Sequence, residues 1–250
     1  MKFIKRIKED WTKVKDMPPK EKWEFFWDYY KIQALCILLV IVLIVQGVVT
    51  VSNQKEIAFS GFCINCKVNI KEAPFWDGFY AHAGIDCEAY TAACYSDVQI
   101  IPGQTQLNNT TVQRIIAGCA IQDVDYIAGD PYSFQVCAYT SQRLFSDLRD
   151  VLDAETLEKL SGRIYYIDDA IIDTLNSPVG EQVEPNALEY PKDPKDPTSM
   201  KKPIPVGIDV SGREDLQKAY YLEDTTIYVG AVKSTARPEL TKQFLEYLLK

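Results

Sequence analysis

Ile32-Gln-Ala-Leu-Cys-Ile-Leu-Leu-Val-Ile-Val-Leu-Ile-Val-Gln-Gly-Val-Val-Thr-Val51 carries no charge over twenty residues. At about 1.5 Å rise per residue such a stretch makes a helix of roughly 30 Å, the thickness of a bilayer's hydrocarbon core. Its many β-branched residues are no obstacle there, because lipid leaves every backbone group to find its partner inside the helix. The 250-residue chain therefore divides into a tail at 1–31, one transmembrane span at 32–51 and a domain at 53–250.

Charge gives the orientation. The first 31 residues hold nine Lys or Arg against six Asp or Glu, a net of +3. With −8 over the whole chain, the remainder carries −11. Lys20, Lys22 and Lys31 flank the span on one side, and Lys55 stands almost alone on the other. Positive flanks stay in the cytoplasm, so the expected arrangement is a single-pass protein of the cell membrane with its C-terminal domain outside. A cleaved signal peptide would have an apolar core of about 7–15 residues ending in small residues. This run is longer, Val48-Val-Thr-Val-Ser52 lacks an Ala-x-Ala pattern, and Leu35 before Cys36 is too bulky for a lipid-attachment site. The span reads as an uncleaved signal-anchor.

Ile4, Ile7, Trp11 and Val14 recur at helical spacing with Lys5, Lys8, Lys13 and Lys15 on other faces. That pattern predicts a basic amphipathic helix on an anionic lipid surface. Pro18 and Pro19 break it, and a second helix is expected from about Lys20 into the span. Trp23, Phe25, Phe26, Trp27, Tyr29 and Tyr30 form an aromatic belt just before the span.

In the outer domain, strands are predicted from Glu56 to Cys63, Tyr90 to Ile101, Val124 to Ala128, Arg163 to Ile167, Ile204 to Val210 and Thr225 to Val232. Helices are predicted at Pro74–Ala83 with Gly84 as stop, from a cap at Asn109 or Thr110 to Ile121, and at Tyr132–Tyr139 with Asp130 as cap and Pro131 first. Further helices are expected in pieces over Asp147–Leu160, with Asp153 as cap and Gly162 as stop, and at Pro238–Leu249. Residues 176–205 hold seven prolines and read mostly as exposed loop. Strands alternating with helices predict an α/β domain: a mostly parallel sheet with helices on both faces.

Asp123-Val-Asp-Tyr-Ile-Ala-Gly-Asp130, then Leu148-Arg-Asp-Val-Leu152, Leu157-Glu-Lys-Leu160 and Arg163-Ile-Tyr-Tyr166 follow one another. Near the end stand Tyr228-Val-Gly-Ala-Val232, Lys233-Ser234 and a helix through Phe244-Leu-Glu-Tyr-Leu248. This order of phrases resembles the type II periplasmic-binding-protein family, the extracellular solute-binding proteins. The approach to the span, Trp23-Glu-Phe-Phe-Trp-Asp-Tyr-Tyr30, is similar to that of membrane-anchored bacterial proteins of Firmicutes. The resemblance implies a ligand held between two lobes. About 200 residues is short for two lobes, so it implies a reduced second lobe around residues 140–200.

Six cysteines fall outside the span on its far side: Cys63, Cys66, Cys87, Cys94, Cys119 and Cys137. On an oxidising face an even count suggests up to three disulfides, with fifteen pairings open. Cys63-Ile-Asn-Cys66 also has the spacing of a redox pair or of half a zinc site. However, no helix start follows it, there is no second such motif, and His82 is the lone histidine.

Ligands of open α/β sheets bind beyond the carboxyl ends of strands. That rule selects Asn65 after the first strand, Asp130, Tyr132 and Ser133 after the third, and Lys233 and Ser234 after the last. Each also has a local explanation, Asp130 as a helix cap and the others as loop residues. No Gly-x-Ser-x-Gly elbow, phosphate loop or dinucleotide fingerprint occurs, and the pairs Asp168-Asp169 and Asp123/Asp125 suit solvated carboxylates. A surface near −11 repels nucleic acid. The expected function is an anchored receptor or sensor without catalysis or cofactor, with membrane lipid, a small solute and a membrane protein as candidate partners. The alternatives are a structural domain of an envelope complex with a degenerate cleft, and a Cys-x-x-Cys redox enzyme.

Overall fold

The computed structural model describes residues 17–52, 55–67, 74–177, 188–218 and 225–250. The tail pattern at Ile4 to Val14 lies outside them. The chain forms two compact units, one ending at Gln54 and one from Lys55 to Lys250.

In the first unit, α1 runs unbroken from Pro19 to Ser52, 34 residues, with no buried residue. At about 1.5 Å per residue it is roughly 50 Å long. Trp23 stacks on Phe26 and Trp27 in its first turns. Its uncharged half presents exposed Leu, Ile and Val along its length, an arrangement compatible with a membrane anchor.

The second unit is a mixed α/β domain built on one six-stranded sheet. Its strands are β1 (Glu56–Cys63), β2 (Tyr90–Tyr95), β3 (Tyr126–Gly129), β4 (Ile164–Asp168), β5 (Pro203–Asp209) and β6 (Tyr228–Ala231), in the order β2-β1-β3-β6-β5-β4. β1 pairs in parallel with β2 and with β3. The pairings of β3 with β6, β6 with β5 and β5 with β4 are antiparallel. The expectation of a mostly parallel sheet is thus corrected. The parallel half ends at β3, because the last strand enters beside it from the opposite end. Residues 140–200, expected to form a reduced second lobe, supply β4 to this same sheet.

Among the described residues, eight α-helices accompany the sheet: α2 (Pro74–Ala83), α3 (Thr105–Ala120), α4 (Pro131–Ala138), α5 (Leu148–Val151), α6 (Ala154–Lys159), α7 (Asp169–Leu175), α8 (Glu214–Gln217) and α9 (Pro238–Leu248). Strand residues alternate between two buried clusters, one per face. Phe59, Tyr126, Ile164 and Val229 pack with Phe79 of α2 and Phe244 and Leu245 of α9. Phe62, Ile127, Tyr165 and Tyr228 pack with Ile115 of α3, Phe134 of α4 and Ile172 of α7. Helices therefore cover both faces. Gly61 is required where it stands, since a Cβ there would collide with the Tyr126 ring on the neighbouring strand.

Several turns are fixed by aspartates placed just before helices. Asp130, Asp147, Asp153 and Asp168 each accept from a backbone N–H of the helix they cap, and Pro131 follows Asp130 as the first helical residue. Gly84 and Gly162 take φ of +66° and +81° and end their segments as expected.

Two boundaries differ from expectation. α3 starts at Thr105, four residues before the predicted cap, because Asn108 is drawn into the core. Its side chain accepts from Ile101 N–H at 3.0 Å and donates to Ile101 C=O at 2.9 Å. β2 stops at Tyr95 rather than Ile101. Val98 and Ile100 are buried off the ladder and are held by Asn65: Asn65 N–H donates to Val98 C=O, and its side chain bonds both backbone groups of Ile100. Part of the proline-rich segment, 178–187, lies outside the described residues.

Candidate functional site

The six residues selected as ligand contacts do not form one site. The sheet's direction separates them into two ends.

Asn65, Asp130, Tyr132 and Ser133 meet at the carboxyl end of the parallel strands. Asn65 sits in the left-handed region with φ of 61°, a conformation Asn tolerates better than most residues. Its amide donates to Asp130 Oδ2 at 2.6 Å. Ser133 Oγ donates to the same oxygen at 2.8 Å. The backbone N–H groups of Tyr132 and Ser133 donate to Asp130 Oδ1 at 3.1 and 3.2 Å. Four donors occupy the Asp130 carboxylate, which is 7 % exposed. The cluster knots β1, β3 and the start of α4 together, and it keeps little acceptor capacity for a ligand. Tyr132 alone turns its side chain toward solvent.

Lys233 and Ser234 follow an antiparallel strand, so they lie at the opposite end of the sheet. Ser234 Oγ is used locally, donating to Cys119 C=O at 2.6 Å. Lys233 N–H donates to Leu144 C=O. Lys233 also lines a different site.

β5 and β6 pair at only two positions, Ile208 with Val229 and Asp209 with Tyr228. Beyond them the strands part. The place beside β6 is taken by the segment 144–146: Phe145 bridges Val232, and Ser146 N–H donates to Ala231 C=O. Pro203 and Pro205 lie in the half of β5 that pairs with β4 alone, and they have no N–H to give a second ladder. A cleft of about 470 Å³ opens in this fork, within the size range of small-molecule sites. Its floor is Ala138, Phe145, Ile167, Ile204 and Val206. Its rim is Arg143, Ser146, Asp147, Asp150, Asp169 and Lys233.

Most rim charges are committed. Arg143, with φ of 49°, reaches Asp169 at 2.8 Å and also pairs with Asp173. Both carboxylates hold the Arg143 pKa up against the opposing effect of burial. Asp147 caps α5 and pairs with Arg149; burial would raise its pKa, but the bonds from Arg149 outweigh it and hold the carboxyl low. Asp150 and Lys233 make no ion pair with a described residue, which leaves one carboxylate and one ammonium facing the cleft. Of these residues only Lys233 was selected from sequence. The interrupted β5–β6 ladder had one legible sign, Pro205 near the start of the strand read at Ile204–Val210.

The same end carries a buried ion pair. Asp125, fully buried, accepts from Ser60 N–H and Arg237 Nη1, both at 2.8 Å, and from Thr235 Oγ1. Asp168 accepts backbone N–H groups from Ala170, Lys201 and Lys202. Burial would raise its pKa, but these donors outweigh it and hold the carboxyl below the usual range. Asp125 and Asp168, grouped by sequence with solvated carboxylates, are therefore structural anchors.

No disulfide links the described cysteines in this structure. Cys63, Cys66 and Cys94 share one buried cluster, and Cys119 and Cys137 share the other. Cys87 is exposed. Cys63 and Cys66 flank a turn after β1, not a helix start. A hydrogen bond with Cys66, together with burial, pushes the Cys63 thiol well up despite opposing contacts from Cys94 and Tyr126. Burial raises Cys119 to about 12 and also raises Cys137. Thiols so protonated are poor nucleophiles. His82 Nδ1 lies 3.1 Å from Lys250 Nζ, and its ring stacks on Tyr247. Among the described residues no group of His, Cys, Asp and Glu is arranged to hold a metal ion.

Compared with known proteins, the chain matches no family model, no curated protein and no solved structure.

Proposed function

We propose that this protein is a single-pass membrane-anchored receptor or sensor module of the solute-binding kind, without catalysis, whose acidic domain stands outside the cell. The exposed apolar length of α1 and the charge asymmetry across it support the anchoring and the orientation. The observation that carries the binding reading is the cleft between β5 and β6, with its apolar floor and mixed-charge rim. A few polar groups around an apolar concavity are what a small-molecule site needs. The test is a thermal-shift screen of the full chain in detergent against amino acids, short peptides, sugars and organic acids. A ligand that binds the native state raises the melting temperature with the logarithm of its excess. No shift with any class overturns the reading.

A second reading, an interaction domain with a degenerate site, draws on the carboxyl-end cluster. There Asn65, Asp130 and Ser133 spend their polar atoms on one another. Co-purification of a stoichiometric membrane-protein partner, with a silent ligand screen, would favour it. A redox enzyme is the least supported, because the Cys63 thiol is buried and held protonated.

A further inference from the structure

We infer that the cleft between β5 and β6 takes a small zwitterion with an apolar body, an apolar amino acid or dipeptide, with Lys233 receiving its carboxylate and Asp150 its ammonium. This rests on the binding reading above and narrows it. The charges at the rim sort into two groups. Arg143, Asp169 and Asp147 are spent on partners within the protein. Lys233 and Asp150 are not paired within the described residues, and both are exposed at the cleft. A ligand with a single charge would satisfy one of them and gain nothing from the other. A ligand with both charges satisfies the two together. The floor sets the rest. Phe145, Ile167 and Val206 are at most 6 % exposed and offer carbon, not hydrogen-bonding groups, so an apolar side chain fits and a sugar's hydroxyls would lose their water unrepaid. Ser146 offers a hydroxyl at the rim for an amide or carboxylate. The volume of about 470 Å³ has room for a dipeptide.

The experiment is calorimetric titration of the full chain in detergent with L-leucine and L-leucyl-L-leucine, beside 4-methylpentanoate and isoamylamine, which each keep one charge. The zwitterions are expected to bind at least about tenfold tighter than either single-charge analogue, the worth of one charge-assisted contact. Lys233→Met and Asp150→Asn, both surface changes, are each expected to weaken the better zwitterion about tenfold or more while leaving the melting temperature of the free protein unchanged. Equal or tighter binding of a single-charge analogue overturns the zwitterion and leaves the binding reading standing. So does zwitterion binding indifferent to both variants. If neither zwitterion binds, the inference fails, and the wider ligand screen then decides separately whether the binding reading fails with it.

Discussion

Replacing Arg237 with Met should cost about 3 kcal/mol of domain stability. The guanidinium reaches the fully buried carboxylate of Asp125 at 2.8 Å and donates to Ile57 C=O at 3.2 Å. Breaking a buried pair from one side typically costs about 3–5 kcal/mol, because the remaining charge is stranded. The lower end applies here for two reasons. Arg237 keeps 27 % side-chain exposure, and Asp125 retains bonds from Ser60 N–H and Thr235 Oγ1. For a domain of this size, about 1 kcal/mol moves the melting temperature by roughly 2–4 °C, so a fall of about 6–12 °C is expected. Circular dichroism of the full chain in detergent, followed as it is heated, reads it out, with α1 expected to keep its helical signal. The double variant Asp125→Ala/Arg237→Met removes both charges and should lose less than the sum of the two single changes. Adding 0.5 M salt should barely alter the single-variant loss, since a buried pair is little screened. A fall under about 2 °C for Arg237→Met, or strict additivity in the double variant, would refute the view that this pair locks β3 to the last turn of the chain.

Gly61→Ala drives a methyl into the Tyr126 ring and should cost about 1–3 kcal/mol by overpacking; an unchanged melting temperature would show that the ring moves aside freely. Asp130→Ala removes a helix cap and strands the Asn65 amide and Ser133 hydroxyl, so about 2–3 kcal/mol should be lost, measurable by the same melt. Asp168 has a folded pKa below its unfolded value, so the stability it contributes is present above about pH 4 and lost as the pH falls through the lower folded value. Asp168→Asn should accordingly be less stable than the parent at pH 7, with the gap closing below about pH 4 in melts across the acid range. A membrane-impermeant maleimide applied to intact cells should label Cys87, the exposed thiol of the domain, and leave buried Cys119 and Cys137 unlabelled until denaturant is added. Labelling of the buried thiols in the native protein, or no labelling of Cys87, would count against the packing or the orientation.

Local chemistry was the legible part of this fold. Asp130-Pro131 announces the start of α4, and Asp153 and Gly162 bracket α6, because caps and stops act within a few residues of themselves. The apolar periodicity of α9 puts Leu240, Phe244, Tyr247 and Leu248 on its inner face; Phe244 and Leu248 are buried there together with Leu245, which the periodicity does not pick out, while Leu240 and Tyr247 are half-buried. Strand direction was not legible. Tyr126-Ile-Ala and Tyr228-Val-Gly-Ala read alike as short buried strands, and only the tertiary arrangement sets the first parallel to β1 and the second antiparallel to the first. That single reversal moved Lys233 and Ser234 away from Asn65 and Asp130. Arg143 and Asp150 gave no local sign of a cleft, since its walls come from segments as far apart in sequence as Ala138 and Lys233. The aspartates at 125 and 168 looked like ordinary surface acids because their donors are backbone groups and an arginine 112 residues distant.

The strand at the middle of the sheet is also, among the described strands, the latest in sequence. β6 joins β3 to β5, and no other described strand links the parallel trio to the β4–β5 pair. The sheet can therefore close only after residues 228–231 exist, through contacts between residues as far apart as Tyr126 and Ala231. Such distant pairing costs more loop entropy than local helix formation, so the helices and the separate halves can order before the sheet is sewn into one.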